Sequence, residues 1–379
     1  MERNANRIFD KKRIKLFEAF SGIGTQKMAL EILAKELGLE IETVGYSEID
    51  KFAIKSYEAI HGERIKNYGG IGSFERMPKD IDICTWSFPC QDISAVGKQK
   101  GMTEGSRSNY GYVFLDTIEN TPYEERPKVL LMENVKALVG KKFKKDFTTI
   151  LERLQQMGYK NFWKVLNAKH YGVPQNRERV FVVSILDDLD YEFPKPFPLE
   201  KQLKDYLETN VDEKYYLSDK MIDFFVKNSE RNKQKGNGFR FTPKKINDIN
   251  VFKTITTRSG SRMDDNFIIV PEKTIRGYKE AEDGDGVYIN RPHQKRGVVQ
   301  KGKIQTLTTR PDTPGVVVDQ PPLRIRKLTP LEAWRLMGID DEDFYKVKAT
   351  GMSDAQLYKQ AGNAIVVDVL YYIFKQMFT

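Results

Sequence analysis

The chain has 379 residues, 40% of them hydrophobic and including 22 Phe and 18 Tyr, enough for one large domain and a smaller one and too much for wholesale disorder. Its longest apolar stretches, such as Val180–Leu186, fall far short of the roughly 20 residues a membrane-spanning helix needs. The opening MERNANRIFDKKRIK lacks the apolar core of a secretion signal, and Cys84 and Cys90 with 3 His cannot build a disulfide framework or a four-cysteine metal site.

These exclusions predict a cytoplasmic protein with no membrane association and no metal centre. The net charge of +9 favours a polyanionic partner. Residues 201–320 hold 23 Lys and Arg against 17 Asp and Glu, so about a third of the chain carries two thirds of the excess.

Through residue 190, short apolar strands alternate with helix-period segments, the pattern of a mostly parallel, doubly wound α/β sheet. Strands are predicted at Ile14–Phe20, Glu42–Ser47, Asp82–Ser87, Lys128–Glu133, Phe162–Leu166 and Arg179–Leu186. A helix is predicted over Thr25–Leu37, capped by Ser21 or Thr25, and another over Phe147–Met157. The proline-punctuated EFPKPFP after Tyr191 suits an exit from the domain. From about 200 to 325 the chain is polar, basic and turn-rich, with β-branched runs such as Phe267–Val270. It contains one internal echo, Thr254-Ile-Thr-Thr-Arg258 and Thr306-Leu-Thr-Thr-Arg310. Helical periodicity returns at Thr329–Met337 and Ala364–Met377. The expected organisation is a large α/β domain over 1–190, a smaller, irregular, mostly-β domain over 191–325, and a segment over 326–379 that returns to the first.

Five motifs carry chemistry. Phe17-Glu-Ala-Phe-Ser-Gly-Ile-Gly-Thr25 runs from a strand into a Gly-X-Gly turn at a helix start, where free N–H groups and close backbone approach suit a ligand. Glu48 ends the next strand, where doubly wound folds place an acid on a ribose, so a nucleoside cofactor is expected, either NAD or S-adenosylmethionine. Ser87-Phe-Pro-Cys90-Gln-Asp-Ile-Ser94 puts a thiol just past a strand, positioned as a nucleophile if its pKa is lowered; Cys84 reads as core. In Leu130-Leu-Met-Glu-Asn-Val135 the apolar residues desolvate Glu133, which suits a group that shares a proton with substrate. Tyr171-Gly-Val-Pro-Gln-Asn-Arg-Glu-Arg179 sends Arg177 and Arg179 to one face. Finally, Gln360-Ala-Gly-Asn-Ala-Ile365 reads as a turn opening the last helix, with Asn363 as a cap or ligand contact.

Taken in order, FSGIG, SFPCQDIS, MENV, YGVPQNRER and QAGNAI, with Arg326-Lys-Leu-Thr-Pro-Leu-Glu332, resemble the successive motifs of the cytosine-C5 DNA methyltransferases of bacterial or phage type. The resemblance covers the whole chain. It implies a Rossmann-like methyltransferase sheet with an inserted target-recognition domain, and sequence-specific transfer of a methyl group from S-adenosyl-L-methionine to C5 of a flipped-out cytosine in double-stranded DNA, leaving S-adenosyl-L-homocysteine. Cys90 matches the nucleophile that adds to C6, Glu133 the acid holding N3, Arg179 the contact to O2, and Arg177 a residue orienting the acid. The cofactor site maps to Phe20, Ser21, Gly22, Ile23, Gly24, Glu48, Ile49, Ile71, Pro89, Asn363 and Ile365. Gln91, Ser94, Thr306 and Leu307 map to DNA contacts. The resemblance also implies a monomer and leaves room for a cognate restriction endonuclease acting on the same site.

Two positions depart from the family pattern. Gly69-Gly70-Ile71 stands where a Gly-Asp-Ile is usual, and Arg107-Ser-Asn-Tyr-Gly111 differs from the usual Arg-Gly-X-Leu-Phe. The competing readings are an RNA (tRNA) cytosine-C5 methyltransferase, a catalytically silent DNA-binding protein, and an NAD-dependent oxidoreductase.

Overall fold

The computed structural model describes residues 8–90, 93, 101–103, 105–245, 248–271, 286–288, 299–300, 314–316 and 323–379. Two compact units emerge, one formed by residues 1–211, 247–266 and 328–379, the other by 212–246 and 267–327.

The first unit is built on a six-stranded sheet. Its strands are β1 (Arg13–Ala19), β2 (Glu40–Ser47), β3 (Ile83–Trp86), β4 (Val129–Val135), β5 (Lys160–Asn167) and, after the two-residue β6 (Gln175–Asn176), β7 (Glu178–Ile185). The order is β2-β1-β3-β4-β7-β5. The pairs β1–β2, β1–β3 and β3–β4 are parallel, whereas β7 runs antiparallel to both β4 and β5. Burial on both faces explains the continuous apolar runs of the central strands, as in β4, where the first six residues are buried.

Helices α1 (Thr25–Leu37), α2 (Lys51–His61), α3 (Tyr110–Glu119) and α4 (Lys144–Gln156) connect the strands. α1 has the predicted bounds but not the predicted cap. Its N-cap is Gly24 in the left-handed region, without a side-chain hydrogen bond. The carboxylate of Glu18, on β1, instead accepts from Lys27 N at 3.1 Å.

The C-terminal helices α6 (Pro330–Arg335), α7 (Asp341–Ala349), α8 (Asp354–Asn363) and α9 (Val367–Lys375) pack back onto this unit. Arg326–Glu332 works here as a helix start: Thr329 and Glu332 form a reciprocal capping box with Pro330 in the first turn. Two expectations need correction. Gln360–Asn363 is the last turn of α8 rather than a turn opening the final helix, and Asn363 does not cap α9, whose N-cap is Val366. The EFPKPFP run also does not leave the unit: Tyr191 donates to Ile373 O at 3.0 Å and Phe197 N to His170 O at 3.1 Å. The boundary lies near 211, and residues 247–266 join the first unit through β9 (Phe252–Lys253), which pairs with β6.

The second unit contains α5 (Asp219–Gln234) and the short strands β8 (Lys244–Lys245), β10 (Phe267–Pro271), β11 (Gly286–Tyr288), β12 (Val299–Gln300), β13 (Pro314–Val316) and β14 (Leu323–Lys327). They form sheets in the orders β14-β10-β8 and β12-β11-β13. Phe225, Phe241 and Phe267 form its aromatic centre, with ring centroids 5.3–5.6 Å apart. Among the described residues, no helix is long and apolar enough to cross a membrane.

Glu18 is fully buried in β1, and desolvation pushes its pKa up to about 7 against hydrogen bonds from Tyr57 and Lys27 that lower it. A carboxyl with a raised folded pKa contributes stability fully present below its unfolded value, near 4.5, and lost as pH rises through 7. Glu18→Gln should therefore match the wild type near pH 4.5 and gain on it by pH 8, by on the order of 3 kcal/mol. Thermal melts of both proteins across pH 4.5–8 check this; parallel curves would remove Glu18 from the balance.

Candidate active site

The motif residues gather at the carboxyl ends of the parallel strands, where doubly wound sheets hold ligands. The Phe20–Gly24 turn follows β1, Glu48 follows β2, the Cys90 turn follows β3, and Glu133 sits two residues before the end of β4.

The position of Glu133 against Arg179 follows from register. In the antiparallel β4–β7 pair, Glu133 lies opposite Phe181 and Val135 opposite Arg179. Glu133 and Arg179 are thus diagonal neighbours on one face, the geometry in which a long side chain reaches across. Arg179 Nε stands 3.1 Å from Glu133 Oε1, with side chains 17% and 11% exposed. Burial raises the Glu133 pKa, opposed by the charges of Arg179 and Arg177. Burial and the Glu133 charge push the Cys90 thiol up, again opposed by Arg179 and Arg177. The resting thiol is thus not the pre-ionised nucleophile its position suggests: one carboxylate and two guanidiniums compete over it.

The Cys90 turn is held by residues the sequence reading passed over. Asn134, next to Glu133, donates to Phe88 O at 3.1 Å, and Ser108 donates to Pro89 O at 2.7 Å. Gly111 lies beneath Phe88, where a Cβ would come within 3.0 Å of the ring. The departing Arg107–Gly111 stretch therefore braces the Pro-Cys turn. The signal was its spacing in the family order, but the partners lie about 20 residues away and only the fold shows them.

Arg177 does something other than expected. It makes no hydrogen bond to Glu133, whose partner is Arg179; its guanidinium donates to the carbonyls of Ile255 at 3.1 Å, Gly362 at 3.0 Å and Ala364 at 2.8 Å. Burial and Arg179 push its pKa down to about 9, so it remains a cation at neutral pH. Leaving such buried acceptors unpaired costs about 1–3 kcal/mol each, which makes Arg177 a tie between three segments of the first unit. Gln175 adds to it, accepting from Ile255 N at 3.0 Å and donating to Leu336 O at 2.7 Å. Gly362 fits the same junction, since a Cβ there would fall 2.3 Å from Thr257 N. Of the two Thr-rich echoes, the one at 254–258 is thus seated beside the catalytic motifs; Thr306 and Leu307 lie outside the described residues, as do Gln91 and Ser94.

Around the turn after β1, Phe20, Gly22 and Gly24 all have positive φ, and Gly22 N donates to Glu48 Oε2 at 3.0 Å. The other Glu48 oxygen accepts from Ile49 N and Asp50 N, both at 2.8 Å. Ile49 is 72% exposed, an unusual position for a large apolar side chain. It stands against Gly70, where a Cβ would lie 3.2 Å from Ile49 Cγ2. Asn363 is exposed, Phe20 and Pro89 are half-buried, and Ser21, Ile23, Gly24, Ile71 and Ile365 are buried. Among the described residues, the buried Ser21 hydroxyl has no partner and nothing lies within 4 Å of a Cβ placed at Gly22. An orphan hydroxyl, an open glycine, a carboxylate and an exposed apolar face together fit a nucleoside-bearing ligand.

Similarity to known proteins shows the family. Residues 14–379 match the family model for C-5 cytosine-specific DNA methylase. The chain belongs to this family. It is 31% identical to the type II methyltransferase M2.ScrFI of Lactococcus lactis subsp. cremoris, over 96% of this chain and 99% of that protein. It is 30% identical to the orphan methyltransferase M.SPRI of Bacillus phage SPR, over 96% and 97%. In fold it resembles an Entamoeba histolytica methyltransferase (EhMeth), with a TM-score of 0.66 at 18% identity over 97% of this chain and 98% of that one. The S. pombe Dnmt2 methyltransferase is similar at a TM-score of 0.62 and 17% identity, over 97% and 98%. This C-5 DNA methylase is therefore a DNA cytosine-5-methyltransferase on a Rossmann-like fold, in an S-adenosylmethionine-dependent family, and the NAD reading falls away.

Removing the Glu133 charge in Glu133→Gln should move the Cys90 titration midpoint to lower pH, and removing the cation in Arg179→Ala should move it higher. The pH profile of iodoacetamide alkylation, mapped by peptide to Cys90, reads both shifts. A midpoint unmoved in both variants would show that neither side chain senses the thiol.

Proposed function

We propose that this C-5 DNA methylase modifies one cytosine of a specific double-stranded sequence through a covalent bond between Cys90 and C6. The observation that carries the reading is the buried Glu133–Arg179 pair beside Cys90, because it supplies a proton-sharing acid and a cation at the nucleophile. C5 of cytosine is a poor nucleophile and is buried in the duplex, so the base must leave the stack, at a cost of a few kcal/mol. Cys90 gives up its proton to solvent and its sulfur adds to C6; the C5–C6 pair shifts into C4–C5 and the C4–N3 pair onto N3, which accepts a proton that Glu133, buried and raised in pKa, has taken up from solvent. Arg179 steadies O2. C5 is then an enamine carbon.

Phe20–Gly24, Glu48 and Ile49 would hold S-adenosylmethionine, with Asn363 closing over it and Glu48 on its ribose. When bound, it supplies the electrophilic methyl group that C5 accepts. A solvent base then takes the C5 proton, the C5–H pair rebuilds the C5–C6 double bond, the Sγ–C6 pair leaves with Cys90 as thiolate, and N3 returns its proton to Glu133. Arg177 acts through the backbone it ties together.

The basic second unit would read the target, with the enzyme acting as a monomer in the cytoplasm. The relatives carry both names, orphan and type II methyltransferase, so the reading accommodates work alone or beside a restriction endonuclease.

Two measurements test this. With methyl-labelled S-adenosylmethionine and unmethylated genomic DNA or bulk tRNA, label should appear as 5-methyldeoxycytidine in DNA; label confined to RNA would move the substrate to RNA. Duplexes carrying 5-fluorodeoxycytidine, which cannot lose a C5 proton, should trap a stable adduct on the Cys90 peptide, absent in Cys90→Ser. Wild-type turnover by Cys90→Ser would end the covalent mechanism.

A further inference from the structure

The Phe20–Gly24 turn is strained and is supported by His61 and Tyr57 from outside its motif and by Glu18 from within it. Phe20, Gly22 and Gly24 adopt φ of 56°, 59° and 80°. For Phe20 this left-handed conformation costs roughly 1–2 kcal/mol, so the surroundings must impose it. On the α2 side, His61 Nε2 stands 3.1 Å from Ile23 O. Burial pushes the His61 pKa down to about 3, so the ring is neutral, and because a carbonyl oxygen only accepts, this contact places the ring's one proton on Nε2.

Behind His61 lies a continuous stack. The Tyr57 ring centroid is 4.6 Å from that of His61 and 4.0 Å from that of Tyr46. The Tyr57 hydroxyl donates to Glu18 Oε2 at 2.7 Å, and Glu18 Oε1 accepts from Lys27 N at 3.1 Å in the first turn of α1. The fit against the turn is close: a Cβ at Gly24 would lie 2.3 Å from His61 Nε2 and 2.7 Å from Tyr57 Cε2. One buried polar chain thus runs from α2 through β1 to the start of α1 and grips Ile23 and Gly24 between them.

We propose that His61 is a positioning residue for methyl-donor binding: backed by Tyr57 and Glu18, it fixes the Phe20–Gly24 turn in the shape that receives S-adenosylmethionine. The inference rests on the assignment of that turn and Glu48 to the cofactor. His61 and Tyr57 lie outside every motif that carries the chemistry. Their effect falls on donor affinity and leaves the Cys90–Glu133 chemistry intact.

The test uses the full chain, with S-adenosylhomocysteine binding by calorimetry and steady-state methylation of unmethylated DNA. His61→Ala should weaken binding and raise KM for S-adenosylmethionine on the order of tenfold, with kcat at saturation within about twofold, the signature of lost uniform binding. His61→Gln, which restores a donor toward Ile23 O, should recover most of the loss. A wholly structural role would instead lower the melting temperature and the active fraction and leave the KM of the surviving enzyme unchanged, which would overturn the proposal, as would a Gln variant no better than Ala. Should His61→Ala not fold, Tyr57→Phe carries the same test by removing one hydroxyl from the support of Glu18. Glu48→Ala separates the two levels of inference. Binding lost in Glu48→Ala but intact in His61→Ala sinks only the positioning role, and binding intact in Glu48→Ala sinks the cofactor assignment with it.

Discussion

Glu133 and Arg179 form an ion pair withdrawn from water, and the rest of the site depends on how the fold can afford it. Taking a carboxylate and a guanidinium into low dielectric carries a desolvation cost of several kcal/mol per ion, which mutual attraction only partly offsets. The pair is therefore a poor device for stability, and its presence calls for a functional reason. It exists because β7 enters the sheet in the reverse sense. Opposed to β4 in antiparallel register, it sets Arg179 diagonal to Glu133 on one face. The same strand begins one residue past Arg177, so a single chain reversal delivers both cations toward the Cys90 turn.

Each motif here divides its labour. One residue belongs to the Cys90–Glu133–Arg179 cluster, and its neighbours hold a different motif in place. Glu133 faces Arg179 while Asn134 secures the backbone before Cys90. Arg179 pairs with Glu133 while Gln175 and Arg177 bind main-chain groups of residues 255, 336, 362 and 364. In the last turn of α8, Gln360 reaches α2 through Ser56 Oγ at 2.8 Å, and Gly362 admits the backbone of Thr256 and Thr257. Buried polar side chains that end on backbone groups fix position without adding charge, and each is costly to remove because its partner cannot re-solvate. The catalytic geometry is accordingly a property of the interlocked motifs.

The division explains what could be read from the chain and what could not. The sheet was legible because its central strands are buried on both faces and appear as unbroken apolar runs; α1 was legible because Met28, Leu30 and Leu33 recur at helical spacing. α2 was not, since its buried residues are Ala53, Ser56 and Tyr57, a face chosen for hydrogen bonds and close aromatic contact rather than for apolar periodicity. The end of α8 resembled a turn because Gly362 and Asn363 weaken helix propensity, yet the glycine is set by the backbone packed against it. Of the residues gathered at the strand ends, Cys90, Glu133, Arg177 and Arg179 were singled out by residue type and position. The partners of Arg177 could not be, lying 78 to 187 residues distant in the chain.

The electrostatics of the assembled site also impose an order on its chemistry. In the free protein, burial first and the Glu133 charge second raise the Cys90 pKa, while Arg179 and Arg177 pull the other way. Two anions under two cations in a buried site form a coupled system, in which ionising one partner makes ionising the other harder. On the proposed reading, cytosine enters this balance through N3. Once Glu133 shares a proton with the base, its charge no longer opposes the thiolate, while both guanidiniums remain to favour it. Ionisation of the nucleophile thereby becomes easier at the moment a base occupies the pocket. A thiol with an already depressed pKa would be reactive before substrate arrived, whereas here the substrate itself completes the arrangement that activates it.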